Sequence, residues 1–319
     1  MTTANSTNLI RANLWSSELK DILYDELQAQ KYVRLLDGFP DGNTFNIPSI
    51  GDLQVDNYEE DTQIVYRPMS TGNFTFTVDQ YITSPTYITK KQQQDSFYAS
   101  MMESSFVPKQ NRAIMSHFEA ATFAAPEAGV AANNSLLIDS LKHRWSAAGS
   151  GATMDVIDFA RAAYVLKKLN VPDVNRVAIV DPSVEYTINT ITNITNISNN
   201  PMWEGLVTTG IATGMRFVKN IYGFDVYTSN FLKTVTDSAL QIGASATTVD
   251  FSTVNGKANL FFSAAPDVNP FIGAWRQQPE VDYEFNKDFQ RHEYVTSARY
   301  GVKLYRPENM IRVLSKTNI

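Results

Sequence analysis

The chain has 319 residues, 43% of them hydrophobic and 19% charged, with a formal net charge of −6 and no cysteine. That length exceeds what one hydrophobic core usually fills, so two or more lobes are expected, and the composition is that of a folded protein. The charge argues against a protein that grips nucleic acid through its phosphates, and the missing thiols exclude disulfides, cysteine-bound metals and thiol catalysis.

Residues 1–13 are small and polar and read as an arm. The N-terminus lacks the basic start and apolar run of a signal peptide, and no stretch of ~18 apolar residues is present to span a bilayer, so a soluble product made in the cytosol is expected. Leu14, Trp15, Leu19, Ile22, Leu23 and Leu27 recur at spacings of three and four and predict an amphipathic helix over 14–32. Phe74, Phe76 and Val78 alternate with Thr75, Thr77 and Asp79, and Ile64 and Tyr66 alternate more loosely. With Arg67-Pro68-Met69-Ser70-Thr71-Gly72 as the turn, this predicts a hairpin of two strands of roughly a dozen residues each within 44–89. A two-stranded ribbon of that length is marginal in water, and it needs a sheet of its own subunit or a neighbouring molecule to lie on.

Phe97, Met101, Met102, Phe106, Ile114, Met115, Phe118 and Phe123 stripe one long helix over 92–125, with a kink or break expected at Pro108. Residues 126–152 read as a loop, a short helix and a Gly/Ser-rich connection. Thr153 is the expected cap of a strong helix, followed by the strand Arg176–Val180 and a helix opening at Asp181-Pro182. Thr187–Asn200 is low-complexity and reads as an exposed loop. Strands dominate from Met215 onward. The class is mixed α+β.

The residues that carry chemistry are sparse. His117, His143 and His292 have no second histidine at metal-binding spacing and read as surface or internally satisfied side chains. Ser17-Glu18-Leu19-Lys20 matches a bare S-x-x-K without its companion motifs. The Gly149-Ser150-Gly151 loop lacks the lysine of a phosphate loop. Asp155 with Asp158, and Asp282 with Glu284, have no accompanying base or cofactor motif. No enzyme and no cofactor is expected.

Five strings resemble one family, the major capsid proteins of tailed phages, which share the Hong Kong phage-type capsid fold. They are Gly42-Asn43-Thr44-Phe45-Asn46-Ile47-Pro48, Val78-Asp79-Gln80, Val171-Pro172 with Arg176–Pro182, Ile221–Asn230, and Arg299–Glu308. The resemblance implies an N-terminal arm and helix at 1–41 and an extended loop at 42–89. It implies a peripheral domain at 90–152 and 296–319 with a spine helix, and an axial domain at 153–295. It also implies self-assembly into hexamers and pentamers of an icosahedral shell in the virion, enclosing DNA without reading its sequence. Residues 42–89 contain no lysine, so the lysine–asparagine crosslink of some relatives is not expected. About forty residues precede the hairpin, so a separate scaffolding protein is expected, with a portal and decoration proteins as further partners.

The acidic residues Asp56, Glu59, Glu60 and Asp61, with Arg67, are the expected contact residues of the hairpin, and Lys167, Lys168, Arg291 and Arg299 are their candidate counterparts on neighbours. Gly38, Gly42, Gly51, Gly72 and Pro108 are candidate hinges. Two alternatives stay open: an encapsulin-like nanocompartment shell, and a β-rich adhesion or carbohydrate-binding module.

Overall fold

The computed structural model describes residues 27, 29–36, 44–51, 53, 55–64, 66–69, 71–95, 99–190, 217–243, 245, 247–252 and 256–317. Most of the helix expected over 14–32 lies outside them, as do Gly38, Gly42 and residues 191–200. The chain runs through α1 (Ala29–Tyr32), β1 (Arg34–Leu35), β2 (Thr44–Ile50), β3 (Thr71–Thr77), β4 (Gln80–Thr89), α2 (Lys90–Asp95) and α3 (Ala99–Ala124). It continues with β5 (Leu137–Ile138), β6 (Leu141–Lys142), β7 (Arg144–Ser146), α4 (Val156–Lys168), β8 (Arg176–Val180), α5 (Pro182–Thr190), β9 (Phe217–Ile221) and β10 (Phe224–Thr228). Then come β11 (Thr234–Val235), β12 (Leu240–Gln241), β13 (Thr248–Val249), β14 (Gly256–Ser263), β15 (Phe271–Asn286), β16 (Arg291–Leu304) and β17 (Met310–Lys316).

Two sheets organise the molecule. The first has the order β1-β15-β16-β4 and is built on the long antiparallel pair β15–β16. Alternate residues of β16, Tyr294, Thr296, Ala298 and Tyr300, are buried and turn toward α3, as the two-residue period of a strand requires. Gln110 of α3 donates to the Tyr294 carbonyl at 3.1 Å and accepts from the Thr296 hydroxyl at 2.8 Å. About two turns further along, Phe118 stacks on Trp275 at 4.8 Å and meets Tyr300 edge-on at 5.1 Å. His117 lies 2.7 Å from the Tyr300 hydroxyl, so it is a satisfied packing residue. Burial, with the Asp79 charge, pushes that hydroxyl up to about 12.

The second sheet has the order β7-β17-β14-β8-β10-β9, with β11 added on β14. Its central strand β8, Arg-Val-Ala-Ile-Val, is buried throughout, which is why it reads as a continuous apolar run. Trp145, Phe159, Val180, Phe224 and Phe261 form its core with α4. Tyr222 and Gly223, at φ 50° and 82°, close β9 on β10; positive φ at both central residues is the hairpin turn whose twist matches the strands.

Several local expectations are corrected. The long helix is not broken at Pro108: α3 passes through it, and Pro108 is exposed, on the side where carbonyls can bend toward water. The short helix expected within 126–152 is instead the strands β5, β6 and β7, because Asp139 and Ser140 at φ 49° and 63° make a tight turn between Ile138 and Leu141. Asp155, not Thr153, caps α4, in a reciprocal capping box with Asp158. Those two carboxylates are thus used in capping. Thr187–Thr190 is the end of α5 rather than loop, and Ile188 in it is buried.

Strand pairing regroups the expected segments. Met310–Lys316, grouped by sequence with the spine helix, pairs with β14 in the seven-stranded sheet. Phe271–Asn286, grouped with the other lobe, pairs with β16 in the four-stranded sheet. The partner of each strand is distant in sequence, and hydrogen-bond ladders carry no residue signature that would name it.

Candidate assembly surface

The hairpin is set by seven pairs, from Thr44 opposite Thr77 to Ile50 opposite Thr71. Its arms are therefore shorter than the dozen residues expected. Thr71 and Gly72, placed by sequence in the turn, lie inside the ladder, and the rest of the expected second strand, β4, leaves the hairpin to pair with β16. Gly72 faces Ser49, whose hydroxyl would stand 2.6 Å from an added Cβ.

The root of the hairpin is fixed against the four-stranded sheet. Phe76 and Val78 are buried with Ile272 and Ala274. Lys303 donates to the Thr75 carbonyl at 2.9 Å and lies 5.2 Å from the Phe74 ring, which meets Tyr305 edge-on at 5.0 Å. Gly301 permits this approach: a Cβ there would lie 2.8 Å from the Thr77 carbonyl oxygen and 3.0 Å from Val78 Cα. Both neighbours are backbone, so Gly301→Ala is expected to destabilise the protein by ~1–3 kcal/mol through overpacking, checked by urea denaturation of the full-length protein.

Beyond Ile50 the described residues of 51–69 carry no strand. Their one backbone turn is Thr62 N–H donating to Glu59 O at 3.2 Å, with Asp61 at φ 66°. Glu59, Glu60 and Asp61 are exposed at this end. Asp56 and Arg67 pair with each other at 3.0 Å, about half exposed, a contact worth only ~0–1 kcal/mol. A cleft of about 280 Å³ lies between Asp56–Glu59 and Thr62–Arg67.

The most telling side chains of the tip are apolar. Val55 is 95% exposed, Tyr66 90%, Leu53 77% and Tyr58 74%, with Ile64 and Met69 also exposed. Single exposed apolar residues are ordinary, but several gathered on one projection mark an interaction site. Sequence reasoning passed over them in favour of the acidic residues. The available signal was that Leu53 and Val55 alternate as in a strand with no strand opposite to cover them.

The other candidates are scattered. Arg291 and Arg299 share the face of β16 turned away from α3. Arg291 binds Glu293 at 2.5 Å and lies between the Tyr87 and Phe289 rings, 4.6 and 4.7 Å from their centres. Lys167, at the end of α4 on the other lobe, pairs with Asp173 at 3.3 Å, and Lys168 beside it is exposed. Among the described residues there is no cluster of histidines and carboxylates that could hold a metal ion, and no helix is long and apolar enough to cross a membrane.

A spine helix across one long-stranded sheet, a second sheet of seven strands and a hairpin projecting from the first define the fold of the major capsid proteins of tailed phages. A family model described as phage capsid protein matches residues 73–313, and the chain belongs to that family. It is a structural protein of the virion, a subunit of the capsid shell. Among solved structures, a chain from Mycobacterium phage Che8 is similar with a TM-score of 0.67 at 17% identity, covering 96% of this chain and 97% of that one. The capsid of cyanophage P-SCSP1u gives 0.68 at 16%, covering 96% and 93%. The head of Helicobacter pylori bacteriophage KHP40 gives 0.67 at 9%, covering the whole of both chains. No curated protein matches the sequence. At such identities these structures speak for the fold alone.

Proposed function

We propose that the chain assembles with copies of itself into hexamers and pentamers of an icosahedral shell around the phage genome, each hairpin lying on an adjacent copy. The observation that carries this reading is the hairpin tip, whose apolar side chains no described residue of its own subunit covers. An apolar group gains ~25 cal/mol for each Å² it removes from water, so a neighbour that covers the tip is stabilised in proportion. The acidic turn adds direction to the encounter, and repetition around a closed symmetric shell turns weak contacts into a stable whole.

In this reading α3 and the four-stranded sheet form the periphery of each ring, and the seven-stranded lobe points to its centre. The chain works without catalysis or cofactor. A separate scaffolding protein shapes the shell, and portal and decoration proteins join it. DNA is held by enclosure, consistent with the net charge of −6.

Negative-stain electron microscopy of the purified protein, alone and with its phage's scaffolding protein, tests the reading. Closed shells or rings of five or six subunits are expected, and monomers under both conditions would overturn it. Replacing Glu59, Glu60 and Asp61 together with Lys is expected to reduce shell yield in the same assay; normal yield would remove the acidic turn from the contact.

A further inference from the structure

We propose that His143 is an acid-sensitive latch between the two lobes, closing the chain segment that links one sheet to the other. His143 is 1% exposed. Its Nδ1 lies 3.0 Å from the Leu141 carbonyl oxygen and its Nε2 3.2 Å from that of Glu308. Glu308 sits in the single turn Pro307–Asn309, which joins β16 of the four-stranded sheet to β17 of the seven-stranded one. The backbone of His143 is tied to the same place, its carbonyl accepting from Arg312 N–H at 2.9 Å.

The ring has two neighbours that can only accept. A neutral imidazole carries one N–H, so it satisfies one carbonyl and sets a lone pair against the other. An imidazolium would donate to both, but its charge would arrive in a crowded setting. Arg312 of β17 and Arg144 of β7 are already buried there. Glu127 at the end of α3 and Asp237 between β11 and β12 are engaged by Arg144, at 3.0 and 2.6 Å. Nε and Nη1 of Arg312 have no hydrogen-bond partner. Among the described residues only the Glu308 carboxylate remains to favour a third positive charge.

Neither protonation state therefore suits the closed junction, and opening it to water relieves both. Burial pushes His143 below its ordinary value; the two carbonyls pull it up without overcoming burial, Arg312 pushes it further down and the Glu308 carboxylate raises it. A histidine lowered in the closed form makes that form lose stability as pH falls below the ordinary value of 6.5, until the lowered value is reached. In that window one proton favours the open junction, so its population rises by up to ~tenfold per pH unit. The Asp237 carboxyl, held by Arg144, lies below its ordinary value, and the His143 window opens above it, at 6.5.

Hydrogen exchange of the full-length protein, read by mass spectrometry at about pH 7.5 and about pH 5.5 and corrected for intrinsic rates, tests the latch. Protection of residues 144–146 and 308–313 is expected to fall by up to ~tenfold in all between the two pH values, and the fall is expected to vanish in His143→Gln, which does not titrate. Equal protection at both pH values, or the same fall in His143→Gln, would overturn the proposal. Should that variant not fold, exchange of the imidazole Cε1 proton in the unaltered protein reads the titration directly. A midpoint below that of an exposed histidine supports the latch, and one at or above it rejects it. None of these readouts depends on shell assembly.

Discussion

Replacing Val55 and Tyr66 together with Asp is expected to abolish shell formation while leaving the subunit as stable as before. Both side chains are almost wholly exposed, so neither contributes to the fold of its own chain. Burying one such side chain in a contact is worth ~1.5–3 kcal/mol, so losing two weakens each contact ~100-fold or more. Every subunit of a shell carries the loss, and an assembly of many equal contacts fails together. Sedimentation and negative-stain microscopy report the shells, and circular dichroism reports the melting temperature. Normal shells would show that the tip is not covered by a neighbour. A lowered melting temperature would show that it packs within its own subunit.

The opposite pattern is expected for Asp237→Ala, which should cost ~3–5 kcal/mol of folding stability. Arg144 is 1% exposed and held between Glu127 at 3.0 Å and Asp237 at 2.6 Å. It also donates to the Asn134 carbonyl at 3.2 Å, while Asp237 accepts the Asn133 N–H at 2.8 Å. Burial alone would raise the Asp237 carboxyl, but the Arg144 hydrogen bond, the Asn133 N–H and the Arg144 charge together hold it below the usual carboxylate range. The carboxylate is therefore ionised at neutral pH and its contribution is fully present there. That contribution is lost only as pH falls through the lowered value, well into acid. Removing it leaves half of the compensation for a buried guanidinium, and loosens the α3 end, β7 and the β11–β12 connection at once. Urea denaturation of the full-length protein measures the cost. A loss below ~1 kcal/mol would mean that water reaches Arg144 and replaces the missing partner.

How far the sequence reaches depends on the distance over which each feature is decided. The alternation at Phe74 and Phe76, the apolar stripe from Phe106 to Phe123, and the run Arg176–Val180 all became the elements expected of them. The helix from Val156 was legible too, although its cap lay two residues from the expected Thr153. The acidic turn of the hairpin was legible as a charge run. Its apolar flank was not, because Leu53, Val55, Ile64 and Tyr66 read in a linear pattern as strand residues that some other strand would cover. Arg144 and His143 were legible only as polar residues of a supposed short helix. Their burial follows from parts of the chain distant in sequence, Glu127 and Asp237 meeting Arg144 and the Glu308 carbonyl meeting His143.

The sequence by itself determined the local elements, the absence of thiol chemistry, and, through five ordered strings, the family resemblance. Each of these rests on residues within a few positions of one another, where alternation, helical spacing and turn chemistry act. Only the tertiary structure decided that β17 joins β14, that β15 and β16 form one long pair across α3, and that the hairpin tip stands uncovered. Ladders are made by backbone groups common to all residues, so the choice among strands falls to the burial that the whole chain achieves at once.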